Sequence, residues 1–151
     1  MRIFISHKLE DAFTASQIAK ELEELRVDCY LDLLDNSLIQ NGQALTNHIR
    51  ANLNQCTDIF VVMSNITRLS QWVPFEVGMA AQKDMPTATF LKEDVSLPEF
   101  LQYWPRLKKY TDIREYVSAR NDVDREYRSI YESASRKTKT ERFYDVLKKR
   151  L

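Results

Sequence analysis

The chain has 151 residues, enough for one compact domain that buries about 70% of the surface its unfolded form would expose. Lys plus Arg and Asp plus Glu balance at 22 each, which removes the electrostatic reason to expect nucleic acid as the main ligand. Two cysteines, Cys29 and Cys56, are too few for a disulfide framework and read as small buried thiols, and no apolar stretch approaches the roughly 20 residues of a membrane span.

In chain order, "RIFIS" is a short apolar run ending at Ser6 and predicts a buried strand. Nothing before it has the charged-then-apolar pattern of a signal peptide, so a cytoplasmic location is expected. In "LEDAFTASQIAKELEELR", residues Leu9, Ala12, Phe13, Ala15, Ile18, Ala19, Leu22 and Leu25 recur mostly every three or four places, the pattern of an amphipathic helix. "VDCYL", 27 to 31, predicts a second strand closing with Asp32. "DLLDNSLIQNG" reads as a loop from its Asp, Asn, Ser and Gly residues. A helix with Leu45, Ile49 and Leu53 on its inner face should follow. "DIFVVMS", 58 to 64, is the clearest buried strand, its unbroken apolar run suiting a parallel sheet covered on both faces.

The next stretch, "SQWVPFEVG" (70 to 78), opens a helix expected from Trp72 to Lys83, and "TATFL", 87 to 91, predicts a fourth strand. Residues 95 to 117 mix a Pro-bounded loop with a short strand near Leu107 to Tyr110. Beyond them Val123, Tyr127, Ile130 and Tyr131 stand at helical spacing. "SRKTKTER" reads as a solvated connection, and a last helix carries Phe143, Leu147 and Leu151. The alternation predicts an α/β fold: a flavodoxin-like, doubly wound parallel sheet of four to five strands flanked by helices, with extra C-terminal helices. A single domain is expected over 1–151, with the α/β core in 1–117 and the C-terminal helices in 118–151.

Such sheets bind ligands outside the carboxyl ends of their strands, which nominates Ser6, His7, Asp32, Ser64, Asn65 and the stretch from Ser70. Familiar chemistries drop out. No Gly-rich turn follows a strand, so neither a dinucleotide fingerprint nor a phosphate loop is present. His7 and His48 form no metal-ligand spacing with the cysteines, and G-x-S-x-G is absent. What remains is an acid beside an aromatic. Trp72 and Glu76 share a helix face if the helix has begun by residue 72, Pro74 fits a first turn, and Ser70 is placed to cap it. The plainer alternative is that Glu76 answers the helix dipole, Trp72 packs under the strands, and His7 and Asp32 are turn and capping residues.

The order "FISH", "ED", "CYLD", "DIFVVMS" and then S-x-W-x-x-x-E-x-G resembles the TIR (Toll/interleukin-1 receptor homology) domain, over about residues 3 to 91. "WVPFE" fits the W-x-x-x-E pattern of stand-alone bacterial, NAD-cleaving TIR domains similar to those of antiviral defence systems. The resemblance implies that Glu76 is catalytic and that the nicotinamide–ribose bond of NAD is cleaved to a cyclic or linear ADP-ribose signalling product. NAD would be the substrate, with no resident cofactor and no metal. Ser6, His7, Asp32, Leu38, Ser70 and Trp72 would line the cleft. The 32 to 42 loop, with Asn41-Gly42 where the family tends to carry Pro-Gly, would act as its lid and as a TIR–TIR contact in a homo-oligomer. A downstream effector would sense the product, with neither nucleic acid nor membrane involved. Two alternatives stay open: a non-enzymatic TIR adaptor, and a nucleoside deoxyribosyltransferase-like enzyme with a glutamate nucleophile.

Overall fold

The computed structural model describes residues 1–31, 41–92, 94–130 and 136–151. Five parallel strands form one sheet: β1 (Arg2–Ser6), β2 (Asp28–Leu31), β3 (Asp58–Met63), β4 (Thr87–Leu91) and β5 (Arg106–Leu107), in the order β2-β1-β3-β4-β5. Between and after them run α1 (Ala12–Glu24), α2 (Gly42–Asn54), α3 (Trp72–Gln82), α4 (Tyr110–Ile130) and α5 (Arg136–Lys148). This is the flavodoxin-like order, whose switch point falls between β1 and β3.

Strand alternation divides the core into two. Ile3, Ile5, Phe60 and Val62 face one side, where they meet Ile18 and Leu22 of α1, Ile113, Tyr116 and Val123 of α4, and Phe143 and Leu147 of α5. Phe4, Ile59, Val61 and Met63 face the other, against Leu53, Val73, Val77 and Ala80 of α2 and α3 and Leu97, Leu101 and Trp104 of the segment before β5. All six residues of β3 are buried, as its unbroken apolar run requires.

Both α1 and α3 end without glycine in a turn that favours it. Val27 N–H donates to the Leu22 carbonyl and Arg26 N–H to that of Glu23; Met85 and Asp84 repeat the pattern on Ala80 and Ala81. These are Schellman ends, and Arg26 (φ 57°) and Asp84 (φ 51°) occupy the left-handed position.

Several expectations are corrected. Leu9 and Phe13, counted on the inner face of the first helix, are 78% and 77% exposed. Residues Leu9–Asp11 form a separate 3-10 turn ahead of α1, and that turn points Asp11 inward instead. The short strand expected near Leu107 to Tyr110 is Arg106–Leu107, because the Asp112 carboxylate accepts the Lys108 and Lys109 N–H groups (2.8 and 3.1 Å) and starts α4 at Tyr110. That helix then runs on to Ile130, across residue 117. Most of "SRKTKTER" is helix, not connection: Arg136–Arg142 open α5, and the buried Thr140 hydroxyl donates to the Asp84 carbonyl at 2.9 Å. The loop around Asp32, Leu33, Leu34, Leu38 and Ile39 lies outside the described residues, as does Tyr131. Asn41 caps α2, its side-chain oxygen accepting Ala44 N–H at 3.1 Å. Among the described residues no helix is long and apolar enough to cross a membrane.

At the amino end of the sheet, Asp58 is fully buried and accepts from Tyr116 Oη (2.8 Å), Arg120 Nε (2.7 Å) and Thr57 Oγ1 (2.5 Å). Tyr116 stands edge-on to Phe60 and Phe143, and burial, reinforced by the Asp58 charge, pushes its phenol well above the usual value. This network fastens α4 to β3. Tyr116→Phe should cost about 1 kcal/mol, the net worth of one hydrogen bond. Arg120→Met, which strands a buried carboxylate, should cost about 3–5 kcal/mol. Urea midpoints at neutral pH separate the two.

Candidate active site

The switch point puts the carboxyl ends of β1 and β3 side by side, with Ser6 of β1 paired in register to Val61. Ser6 follows Phe4 and Ile5 in the strand alternation, so its fully buried side chain lies on the α3 face. From that face Glu76 approaches, only 2% exposed, and the Ser6 hydroxyl donates to Glu76 Oε2. Two residues 70 positions apart thus meet at the place the strand order makes available. Next in the chain His7 is buried, and its Nδ1–H donates to the Ile5 carbonyl at 3.1 Å, which in the neutral ring leaves Nε2 as an acceptor.

The start of α3 explains how Glu76 arrives there. Ser70 Oγ lies 3.2 Å from Trp72 N and 3.4 Å from Val73 N, accepting two of the N–H groups that a helix start leaves without intrahelical partners. Pro74, in the first turn, gives up an N–H that had no helical partner to lose. The helix begins at Trp72, so residues 72 and 76 stack one turn apart on a shared face. The Trp72 ring is half-buried and stands edge-on to Phe75, with centroids 5.9 Å apart.

Ser6, His7, Glu76, Ser70 and Trp72 therefore gather at one end of the sheet. Asp32 and Leu38 lie outside the described residues. Ser64 belongs to a different cluster. Its hydroxyl donates to Asp11 Oδ2 at 2.5 Å, the Thr67 hydroxyl donates to the same oxygen, and Lys92 Nζ lies 3.2 Å from Oδ1. Asp11 is 1% exposed; in the sequence it stood only within the "ED" of the family resemblance, with no role assigned. An acid just ahead of a helix is explained by the dipole alone, so nothing distinguishes it from its exposed neighbour Glu10.

Two cavities of about 530 Å³ adjoin this architecture, and neither is lined by Ser6 or Glu76. One runs along α1 and the edge strand β2, past Lys20, Glu23 and Cys29. The other lies between α2 and α3 and is walled by Phe75, Met79 and the stem of Lys83. The Cys29 and Cys56 thiols are raised above their ordinary value by burial, Cys56 to about 11, which suits packing rather than nucleophilic duty.

A family model described as the TIR domain matches residues 3–137. Comparison with curated proteins finds no match. Among solved structures, a 2-deoxyribosyltransferase from the psychrotolerant bacterium Bacillus psychrosaccharolyticus is similar, with a TM-score of 0.59 over 75% of this chain and 90% of that one. At 11% identity the likeness is one of fold.

Burial alone would raise the Asp11 carboxyl, but hydrogen bonds from Ser64, Thr67 and Lys92 and the lysine charge outweigh it and hold the group below its ordinary value. A depressed carboxyl adds stability that is complete above the unfolded value of about 3.9 and is lost as pH falls through the lower folded one. Asp11→Asn should therefore flatten the acid limb. Wild-type stability should fall more steeply than the variant's as pH drops below about 4, measured by urea titration at each pH.

Proposed function

This chain belongs to the TIR domain family, and we propose that it is an NAD glycohydrolase or cyclase with Glu76 as its catalytic carboxylate. The observation that carries this reading is a glutamate only 2% exposed at the β1/β3 switch point and held by the Ser6 hydroxyl. A carboxylate taken out of water at a ligand-binding position is an expensive feature for a fold to keep without use.

The chemistry fits a single acid. Hydrolysis of an O-glycoside usually needs two carboxyl groups, because the departing alcohol must be protonated. Nicotinamide is bound to ribose as a pyridinium. When the C1′–N bond breaks, the electron pair goes to the ring nitrogen and the base leaves neutral, so no general acid is needed. Positive charge grows on the ribose, and a fixed carboxylate stabilises it. Ser6 orients that carboxylate. Trp72 offers a ring face to a base, which would favour attack by another part of the same molecule over attack by water. Water gives linear ADP-ribose and releases a proton; an internal nucleophile gives a cyclic product.

His7, Ser70, Asp32 and Leu38 complete the proposed cleft, and NAD is a substrate rather than a resident cofactor. In this reading the protein works in the cytoplasm as a homo-oligomer through TIR–TIR contacts. Its product signals to a separate effector in defence against phage. A binding-only adaptor is the second reading. It is favoured by Leu9, Phe13 and Leu69, each more than 70% exposed in the segments following β1 and β3. The fold neighbour's name adds deoxynucleosides to the compounds worth testing.

Purified protein, concentrated enough to assemble, should release nicotinamide from NAD. Glu76→Gln should lower that rate about 100-fold or more, and Ser6→Ala about tenfold. Equal rates for wild type and Glu76→Gln under every assembly condition would end the enzymatic reading, and an adaptor would keep its function in the variant. Trp72→Ala should change the ratio of cyclic to linear product resolved by mass spectrometry, more than it changes the rate.

A further inference from the structure

The Asp11 carboxylate is bonded to the segment that delivers Glu76. Its carboxylate takes the hydroxyl protons of Ser64 and Thr67, at the start and middle of the eight-residue stretch between β3 and α3. Ser64 Oγ in turn accepts the N–H groups of Ile66 (3.3 Å) and Thr67 (3.1 Å), and the Ser64 carbonyl accepts that of Arg68 (3.1 Å). The Thr67 carbonyl accepts Ser70 N–H at 2.9 Å, and the Ser70 hydroxyl accepts the first amides of α3. An unbroken chain of hydrogen bonds thus runs from Asp11 through Thr67 and Ser70 to the helix that presents Glu76 one turn later. Lys92 closes the clasp from a third side. It follows the end of β4, its N–H bonded to the Met63 carbonyl (3.2 Å) and its ammonium to Asp11.

We propose that Asp11 is the positioning residue of the Glu76 site, clasping the segment after β3 so that α3 starts where Glu76 meets Ser6. The kinetic part of this proposal rests on the reading of Glu76 as a catalytic carboxylate; the structural part does not. The chemistry of the clasp requires an ionised acid. Two hydroxyls donating to one carboxylate oxygen, with an ammonium on the other, use the group purely as an acceptor. An amide at the same position must turn its NH2 toward either the hydroxyls or the lysine. Both hydroxyls then reorient, or a donor faces a cation. Burial makes either outcome costly, because no water is at hand to repair it. The lowered pKa of Asp11 agrees with a group held ionised for this purpose.

Two variants and two readouts test it. Asp11→Asn weakens the acceptor, and Thr67→Val removes one donor at nearly constant shape, with Thr67→Ser as the conservative control. Hydrogen exchange on the intact protein should quicken in residues 64–76 of Asp11→Asn and Thr67→Val, and stay at wild-type rates in β1, β3 and β4. Thr67→Ser should restore it. In nicotinamide release, both disruptive variants should lose about 10- to 100-fold in kcat, with KM within about threefold, because a misplacement of about 1 Å at the reacting group has that effect. Thr67→Ser should regain most of the loss. Exchange that rises throughout the protein, or nowhere, overturns the clasp, as does wild-type kcat in both disruptive variants of an active enzyme. A wild type that releases no nicotinamide counts against the proposed function instead, and hydrogen exchange still decides the clasp.

Discussion

A parallel sheet covered by helices on both faces can place charge only at its two ends, and β3, buried along its whole length, imposes that on the centre of this molecule. Among the described residues three deeply buried carboxylates respect the rule. Asp58 sits at the amino end, and Asp11 and Glu76 at the carboxyl end. Each has been given partners, but of different kinds. Asp58 is matched by the Arg120 guanidinium, which neutralises it, and by the Tyr116 phenol, and both bolt α4 to the sheet. Asp11 gathers hydroxyls and a half-exposed lysine from two further chain segments, joining loops that would otherwise move independently. Glu76 receives a hydroxyl from the strand across the switch point. One physical demand, satisfying charge where water is excluded, yields anchors at one end and a site at the other.

Much of this was readable in the sequence, and the failures have physical causes. Strands β1, β3 and β4 announced themselves by short apolar runs, and α1 and α2 by spacing, because a two-sided core leaves few other ways to pattern the chain. Glu76 stood out through the W-x-x-x-E resemblance; periodicity alone made it an ordinary helix-turn acid. The start of α4 was hidden because Tyr110, Thr111 and Asp112 look like a strand running into a turn, and the capping by Asp112 exists only once Lys108 and Lys109 fold back over it. The first turns of α5 were missed because Arg136, Lys137 and Lys139 give no apolar signal, while Thr140, the residue that docks there, is polar. Leu9 and Phe13 misled in the opposite direction. Their spacing is helical and their chemistry apolar, yet the 3-10 turn spends its inward position on Asp11.

Glycine scarcity shapes the rest. With two glycines in the chain, the loops at the carboxyl ends have little means of wrapping backbone amides around a phosphate group. Side chains take over the structuring: Ser64, Ser70, Asn41 and Asp112 all meet backbone amides at loop or helix starts. Even the two left-handed helix ends are filled by Arg26 and Asp84, each tolerating a conformation that costs L residues on the order of 1 kcal/mol. Hydroxyls, a carboxylate and a ring, rather than a main-chain cradle, are what the chain gathers beside Glu76.

The pairing of Ser6 with Glu76 also has a temporal meaning. β1 reaches β3 only by leaving a place for β2 at the edge, so the two residues remain far apart until the crossover through α1, β2 and α2 is complete. Contacts of such long sequence separation form late, after the loop-closure entropy between them has been overcome. A nascent chain that has not yet released α3 lacks Glu76, the acceptor of the Ser6 hydroxyl. The contact that fixes the Glu76 carboxylate is therefore one that a partly folded chain lacks.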